Sequence, residues 1–321
     1  MKKKIIIQSE STDASTDDVI AWLNYYGHLD KTIVFLDDSP ISKFSFNYTG
    51  NGLTISINGV NFTPEDSYWY RRGGFYTSQY LKSQFKEVNH YLSGSQLRSI
   101  SSVLDALLCK KQLNCYNDNF IEKLQMLRDA HKVGLVSPPT LFTDSLDSVK
   151  DFINEHKKII TKTTIVPFGT VTLDKTYKFS SGTIKLNVED LDGKPSRFLP
   201  SIFQKYMEKK YEIRTLYLDG GFYSMAIFSQ MNEKTQVDCR EKTNLPLRKT
   251  PYRLPIEYEE NLAALMKLYS LNSCSIDTIV TPDNEFYFLE INPIGQFQWL
   301  SKNCNYQIEE KIANYLMQED E

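Results

Sequence analysis

The feature that most constrains the fold is a pair of apolar strand patterns near the end of the chain. Residues 275–281 and 285–292 are both rich in β-branched and aromatic side chains, which favour strands. The turn residues Pro282-Asp283-Asn284 separate the two patterns and predict a short antiparallel hairpin. Apolar residues occupy both faces of each pattern, which indicates that the hairpin is buried within a folded domain.

Acidic and amide side chains interrupt this apolar hairpin. Glu290 and Asn292 are two residues apart, so their side chains leave the same face of the strand. A hairpin that is symmetric about its turn places Asp277 opposite Leu289 or Glu290, where its carboxylate reaches the same patch. Oxygen ligands of this kind in apolar surroundings need a cation, and they suit Mg²⁺. The alternative is a solvated sheet edge, and the residue types alone leave both interpretations open.

Composition excludes several classes of function. The chain has 321 residues, with 37 Lys and Arg against 40 Asp and Glu, and its net charge of −3 gives no support for nucleic-acid binding. Only 14 glycines occur and no G-x-G-x-x-G or P-loop pattern is present, which argues against Rossmann and P-loop nucleotide sites.

Targeting signals are also missing from the sequence. The first apolar run, Ile5-Ile6-Ile7, is too short for a signal peptide, and no window approaches the roughly 20 apolar residues of a membrane span. The five cysteines are scattered and never spaced C-x-x-C. We therefore expect reduced thiols in a cytoplasmic protein that does not bind a membrane.

Apolar periodicity and turn signals divide the chain into three units. Residues 1–115 are predicted to form a small α/β unit with a helix over 17–26, for which Thr16 or Asp17 is the expected N-cap, and a longer helix over 95–108. No linker-like composition separates the units, so we expect them to pack into one body.

The remaining two units are predicted in less detail. Residues 116–200 contain helix patterns over 119–133 and 146–156, a strand over 158–162 and hairpin signals over 165–198. The last unit, residues 201–321, alternates strands with one clear helix over 257–269.

Short motifs along the chain resemble those of ATP-grasp ligases, in the same order. They are Glu122-Lys123, Gly134-Leu135, Pro138-Pro139-Thr140, Ile159-Ile160-Thr161-Lys162, Phe203-Gln204-Lys205-Tyr206-Met207, Glu212-Ile213-Arg214, Asp238-Cys239-Arg240 and Glu290-Ile291-Asn292-Pro293. The resemblance narrows to the microviridin-type ligases that make graspetides, including those of grasp-with-spasm systems. The motifs that narrow it are Trp69-Tyr70-Arg71-Arg72, Asp238-x-Arg240, Pro251-Tyr252-x-Leu254-Pro255 and the ten residues from Glu290 to Trp299.

This resemblance, which extends over nearly the whole chain, implies an ATP-grasp fold of the α/β (α+β) class. Residues 1–115 would be an N-terminal α/β pre-ATP-grasp domain, and residues 116–200 a central subdomain whose hairpins over 165–198 dock a peptide leader. Residues 201–321 would be a C-terminal antiparallel-sheet subdomain with the adenine and metal sites. The glycine-rich phosphate flap of many ATP-grasp enzymes is much reduced in this chain, because Gly169 is the single glycine in residues 163–171.

The resemblance also assigns roles to individual residues. Gln204 and the Met207 backbone would bind adenine and Glu212 the ribose, and the cations that bind ATP would be Lys123, Lys162 and Arg214. The ligands of two Mg²⁺ ions would be Asp277, Glu290 and Asn292. The catalytic residues would be Arg240, Arg214 and Asp238, with Arg240 on the acyl-phosphate or the oxyanion. Arg71 and Arg72 are candidates for contacts to the peptide or its acyl-phosphate, and an ordinary solvated turn is the alternative.

The implied activity is ATP-dependent macrocyclisation of a ribosomal precursor peptide made of a leader and a core. Asp or Glu side chains of the core would be activated as acyl-phosphates and joined to Ser or Thr hydroxyls as ω-esters, or to Lys amines as ω-amides. Overall likeness favours the ester. Relatives suggest a homodimer. The alternatives are an ATP-grasp ligase that adds amino acids to a protein tail, and a non-catalytic peptide-binding pseudoenzyme.

Overall fold

A computed structural model of the chain describes residues 3–50, 52–75, 98–162, 169–172, 176–179, 183–231 and 247–319, whose strands form five sheets. The first sheet is parallel and consists of β1 (Ile5–Ser9), β2 (Thr32–Leu36), β6 (Ser67–Tyr70) and β7 (Lys111–Leu113), in the order β2-β1-β6-β7. A small antiparallel sheet of β3 (Phe44–Thr49), β4 (Gly52–Ile57) and β5 (Val60–Phe62) follows β2 in the chain.

Helix α1 (Ala14–Tyr25) begins earlier than the sequence predicted. Its N-cap is Asp13, whose carboxylate accepts hydrogen bonds from the backbone N–H groups of Ser15 and Thr16, so the expected cap at Thr16 or Asp17 was wrong. The long helix predicted over 95–108 is also wrong in its described part. Residues 98–101 are helical, and a 3-10 helix, Val103–Leu107, then ends at Leu108 in the left-handed conformation.

The central sheet is antiparallel, with the order β12-β9-β13-β8. It consists of β8 (Thr140–Ser145), β9 (Ile159–Lys162), β12 (Ile184–Leu186) and β13 (Arg197–Lys205). Helix α3 (Leu146–His156) matches its predicted range and buries Leu146, Val149 and Ile153 against this sheet. Strands β10 (Gly169–Thr172) and β11 (Thr176–Phe179) pair separately. The boundary predicted after residue 200 falls within β13.

The C-terminal sheet is antiparallel, with the order β16-β15-β14-β17-β18. Its strands are β14 (Tyr211–Leu218), β15 (Gly221–Phe228), β16 (Arg248–Tyr252), β17 (Ser273–Val280) and β18 (Phe286–Asn292). The predicted hairpin is confirmed as the β17–β18 pair. On one face pack α2 (Lys123–Lys132) and α4 (Ile256–Leu268), through a core that includes Met126, Ala130, Leu262, Leu265, Ile276 and Phe288.

The other face of the C-terminal sheet packs against the N-terminal unit. This shared core also contains α5 (Gln298–Cys304) and α6 (Ile308–Met317), and its buried members include Ile5, Ile7, Leu23, Trp69, Leu216, Met225, Leu300 and Ile312. The two C-terminal helices were not predicted from the sequence. Along β14, Leu218 and Leu216 lie in this core, and Arg214 and Glu212 follow on the same face because side chains alternate along a strand. The charged residues predicted to bind ATP therefore lie on the part of this sheet face next to the core shared with the N-terminal unit.

Candidate active site

Three charged residues form a row across adjacent strands of the C-terminal sheet. Arg214 on β14 pairs directly with Asp277 on β17, and Asp277 pairs with Glu290 on β18. The register shifts immediately after Asp277, so that Thr278 pairs with Phe288 and β18 carries one extra residue. Of the two partners that the sequence allowed for Asp277, the structure therefore has Glu290. The expected convergence of the two carboxylates is confirmed.

The Arg214 guanidinium forms an ion pair with Asp277. Arg214 Nη1 lies 2.7 Å and 2.8 Å from the two carboxylate oxygens of Asp277. Burial raises the pKa of Asp277 above its ordinary value, and the neighbouring Glu290 raises it further, against the opposing effect of Arg214. Burial works against the charge of Arg214, but Asp277 and Glu290 outweigh it and raise the pKa of the guanidinium. Arg214 is therefore a permanent cation beside two carboxylates.

Glu290 pairs with a lysine from a different element. Lys123 is the first residue of α2, and its Nζ lies 3.4 Å from Glu290 Oε2. Glu122 is the N-cap of α2, and its side chain accepts hydrogen bonds from the backbone N–H groups of Leu124 and Gln125, which fixes the start of the helix. Met126, one turn further along, packs onto β18 and accepts a hydrogen bond from the Ile291 N–H at its sulfur. These contacts hold Lys123 at the edge of the row.

The donor set fits a magnesium ion. Asp277, Glu290 and Asn292 offer two carboxylates and an amide oxygen on one face of two paired strands, and Mg²⁺ is commonly bound by one or two carboxylates together with phosphates and water. The pKa of Asp277 is raised first by burial and then by the neighbouring Glu290, and a divalent cation between the two carboxylates would favour their charged forms. Among the described residues, this site included, no group of three His, Cys, Asp or Glu side chains is arranged to hold a metal. The set described here has two carboxylates, and its third oxygen comes from the amide of Asn292.

Lys162 and Gln204 lie together on the central sheet. Lys162 on β9 pairs with Ile202 on β13, and Gln204 lies two residues further along β13 on the same face. Gln204 is buried and donates from Nε2 to Thr140 Oγ1 at 2.9 Å. Met207 follows in the half-buried connection between β13 and β14. The predicted adenine and phosphate residues of the central sheet are thus neighbours.

Glu212 has internal partners that the sequence did not reveal. Its Oε1 lies 2.7 Å from Lys209 Nζ and accepts a hydrogen bond from Ser229 Oγ at 2.8 Å. Lys209 is itself buried, which is rare for a lysine without an acidic partner. The Lys-x-x-Glu spacing at the start of β14 was the only signal in the sequence. Sequence reasoning therefore missed Lys209 as a member of the site.

Arg71 and Arg72 contact the protein itself. Arg71 is 3% exposed, and Asp13 Oδ2 lies 3.0 Å from its Nη2 and 3.1 Å from Arg72 Nε. Both arginines also donate to backbone carbonyls in the segment after β18. Their predicted contact with a peptide or an acyl-phosphate stays a prediction.

Two predicted catalytic residues, Asp238 and Arg240, lie outside the described residues. The same holds for residues 163–168 of the reduced phosphate flap and for part of the hairpin region over 165–198. Among the described residues, no helix is both long enough and apolar enough to cross a membrane.

The fold of this chain is the ATP-grasp ligase fold, over essentially its full length. A RiPP-associated ATP-grasp ligase from Chryseobacterium gregarium, in complex with ADP and a leader and core peptide, aligns with a TM-score of 0.80 and 24% identity over 98% of this chain and 96% of that chain. The macrocyclase MdnC from Microcystis aeruginosa MRC, bound with the precursor peptide MdnA, aligns with a TM-score of 0.76 and 28% identity over 98% and 99%.

A third solved structure agrees with these two. The ATP-grasp ligase PsnB, complexed with a phosphomimetic variant of a minimal precursor, Mg and ADP, aligns with a TM-score of 0.74 and 18% identity over 99% of this chain and 98% of that chain. No protein-family model and no curated protein sequence matches the chain. The predicted resemblance to microviridin-type ATP-grasp ligases is confirmed by these structural relatives.

Proposed function

We propose that the protein is an ATP- and Mg²⁺-dependent peptide macrocyclase. The observation that carries the proposal is the row of Arg214, Asp277 and Glu290, with Lys123 at its edge, which combines carboxylates for a metal with cations for phosphate. This row belongs to a chain that shares its fold over 98% of its length with MdnC, a macrocyclase bound with its precursor peptide, at 28% identity.

The proposed reaction has two steps. A carboxylate oxygen of an Asp or Glu side chain in the precursor attacks the γ-phosphorus of ATP, and ADP leaves as the acyl-phosphate forms. A Ser or Thr hydroxyl, or a Lys amine, then attacks the acyl carbon, loses its proton and expels inorganic phosphate. Each ring therefore costs one ATP and removes the elements of one water from the peptide. The product is an ω-ester with a hydroxyl and an ω-amide with an amine.

The residues of the row have distinct proposed roles in this chemistry. Asp277, Glu290 and Asn292 would hold Mg²⁺, which supplies charge neutralisation for the phosphates when bound. Lys123 and Arg214 lie beside these ligands and would bind the phosphate oxygens, where fixed cations stabilise charge without reorganisation. In this proposal phosphoryl transfer relies on positioning and on charge stabilisation.

The nucleotide and the acyl-phosphate are assigned to the remaining predicted residues. Gln204 and Met207 would bind adenine, Lys162 the phosphates, and Glu212 the ribose hydroxyls, with Lys209 holding the Glu212 carboxylate in place. In the same proposal Arg240 and Asp238 act at the acyl-phosphate. The precursor leader would dock on the central hairpins over 165–198, as in the strand- or helix-addition modes by which other proteins capture peptides.

We also propose that the protein is a homodimer, and the exposed aromatic side chains of β3 support a contact between two copies. Phe44, Phe46 and Tyr48 alternate on this edge strand and are all exposed, and the strand carries no charge to protect its edge. Antiparallel pairing of β3 with β3 of a second copy, about a two-fold axis, would place the Phe46 side chains of the two copies opposite each other and Phe44 of one copy opposite Tyr48 of the other.

Light scattering tests this contact. Phe46→Lys is expected to convert a dimer into a monomer, whereas Ser45→Lys, on the opposite face of β3, is expected to leave it dimeric. A monomeric wild-type protein, or a dimer that is unaffected by Phe46→Lys, would contradict the proposal.

The unpaired cysteines support our proposal that the protein is located in the cytoplasm. Cys109, Cys115, Cys274 and Cys304 are all unpaired thiols in the described part of the chain, as expected for a protein that folds in a reducing compartment.

Mass spectrometry of the precursor tests the proposed activity. The purified protein is incubated with ATP, Mg²⁺ and a candidate precursor peptide rich in Thr, Ser, Asp and Glu, and each ring is expected to remove the mass of one water. Hydroxylamine, which cleaves esters and leaves amides intact, then distinguishes the two products. A gain in mass would instead select the ligase that adds amino acids to a protein tail. Peptide binding without peptide-dependent ADP release would select the pseudoenzyme.

A further inference from the structure

The loop between β18 and α5, residues 293–297, is held by side chains of the N-terminal unit. Arg71 Nη1 donates to the carbonyl oxygen of Ile294 at 2.7 Å and to that of Gly295 at 3.3 Å. Arg71 Nη2 donates to Gln296 Oε1 at 3.0 Å. One guanidinium thus binds three consecutive residues of the β18–α5 loop.

Asp13 fixes the arginines that contact this loop. Its Oδ2 lies 3.0 Å from Arg71 Nη2 and 3.1 Å from Arg72 Nε, and its side chain is completely buried. Its Oδ1 accepts hydrogen bonds from the N–H groups of Ser15 at 2.9 Å and Thr16 at 3.2 Å, at the start of α1. Burial alone would raise the pKa of Asp13, but the two arginines and Ser15 hold it below its ordinary value. The arginines are therefore anchored to a permanently charged N-cap.

The opposite side of the same loop contacts the charged row. The carbonyl oxygen of Gln296 accepts a hydrogen bond from Arg214 Nη2 at 3.3 Å. A Cβ atom on Gly295 would lie 2.4 Å from Ser275 Cβ and 2.8 Å from Arg214 Nη2, so the loop backbone packs directly onto both side chains. Arg214 in turn binds both carboxylate oxygens of Asp277. A single layer of backbone separates the buried Arg71 from the row.

We propose that Arg71 is a positioning residue for the metal and phosphate site. By holding the β18–α5 loop against Arg214, it sets the orientation in which Asp277 is presented. The identity of the bound group, a magnesium nucleotide, rests on the proposed function. A planar guanidinium can contact the two carbonyls, the Gln296 side chain and Asp13 together, which the single ammonium group of lysine cannot.

Calorimetry with ADP and Mg²⁺ tests this role without turnover. Arg71→Lys keeps a positive charge opposite Asp13 and removes the planar guanidinium that contacts the loop at several points. We expect the Mg²⁺-dependent part of ADP binding to weaken by about 10- to 100-fold, the usual loss when a residue that orients a metal ligand is changed. Binding of ADP without metal is expected to weaken much less, because the proposed adenine and ribose contacts do not pass through the β18–α5 loop. The matched control is Arg128→Lys, in which an exposed guanidinium pairs with the buried Asp129 away from the row, and for which both affinities are expected to be unchanged.

Gly295→Ala perturbs the same loop from the opposite side and leaves Arg71 in place. It is expected to weaken Mg²⁺-dependent ADP binding as well. The double variant is expected to lose less than the product of the two single losses, because both changes act through one contact. Gly295→Ala also keeps the proposal testable if Arg71→Lys lowers the thermal unfolding midpoint.

Two results would overturn the positioning role. One is wild-type Mg²⁺-dependent ADP binding in both Arg71→Lys and Gly295→Ala. The other is a rise in the peptide KM alone, which would return Arg71 to a role in peptide binding. The proposed function fails separately: a wild-type protein that binds ADP with Mg²⁺ but forms no rings would refute macrocyclisation and leave the role of Arg71 intact.

Discussion

Glu290→Gln separates loss of the metal site from loss of the fold. The substitution keeps the size of the side chain and removes one negative charge from the row. The Lys123–Glu290 distance of 3.4 Å corresponds to a gross attraction of about 5 kcal/mol at an effective dielectric constant of about 20. Both side chains are close to one-third exposed, at 31% and 28%, and ion pairs of this kind contribute only about 0–1 kcal/mol to stability.

The expected effect on stability is therefore small, whereas the expected effect on catalysis is large. A loss of at most about 1 kcal/mol lowers the thermal midpoint by about 2–4 °C. Removal of a charged metal ligand is expected to reduce peptide-dependent ADP release by at least about 100-fold, because even residues that only orient metal ligands are worth about 10- to 100-fold.

The assay is coupled ADP release, with the thermal midpoint and the affinity for a fluorescent leader peptide measured on the same preparation. Glu290→Gln is expected to bind the leader as the wild type does. Glu285→Gln, at the exposed hairpin turn, is the matched control and is expected to keep full activity. Undiminished ADP release by Glu290→Gln, with an unchanged Mg²⁺ dependence, would refute the assignment of Glu290 to the metal.

Three further predictions test the charged row, the core and an acidic group outside the site. Arg214→Lys cannot bind both oxygens of Asp277 together with the loop, so kcat for ADP release is expected to fall by about 100- to 1,000-fold, and a wild-type kcat would contradict its role. Leu262→Ala removes a completely buried side chain and is expected to cost about 2–5 kcal/mol, seen as a lower thermal midpoint, whereas an unchanged midpoint would contradict the packing. Burial raises the pKa of Asp105 from 3.8 to about 6. The folded protein therefore binds a proton at Asp105 more tightly than the unfolded chain does, and the free energy of unfolding rises as the pH falls from about 6 towards 3.8. Asp105→Asn is expected to weaken this pH dependence of the midpoint, and parallel midpoint curves for the two proteins would contradict it.

The hairpin that carries the proposed metal ligands could be predicted because its strand and turn signals all lie within one short stretch of sequence. Alternation with period two puts Glu290 and Asn292 on one face, and a three-residue turn brings Asp277 opposite Glu290. The bulge after Asp277, which decides between Leu289 and Glu290 as its partner, depends on packing and has no signal in the sequence.

The rest of the row depends on strand order. Arg214 reaches Asp277 only because β14 lies between β15 and β17, and no periodicity reports which strands are neighbours. Its role was predicted from the family resemblance of Glu212-Ile213-Arg214 and not from geometry. Lys123 likewise reaches Glu290 because α2 packs on β18.

The contacts of Arg71 show the limit of local reasoning most clearly. Two adjacent arginines beside glycines are typical of a solvated turn or of an anion site, and neither interpretation includes a buried aspartate. Asp13 was not recognised even as the cap of α1. A buried ion pair needs both partners to be known, and only the tertiary structure brings Asp13 and Arg71 together.

Transfer of labelled oxygen from the precursor to phosphate tests the central claim most directly. The precursor is prepared with heavy oxygen in its Asp and Glu side-chain carboxylates and is cyclised with unlabelled ATP and Mg²⁺ in unlabelled water. If those carboxylates are activated as acyl-phosphates, each ring that forms releases one inorganic phosphate that carries one labelled oxygen, together with one ADP. Unlabelled phosphate, or ADP release without loss of water from the peptide, would contradict the proposed macrocyclase.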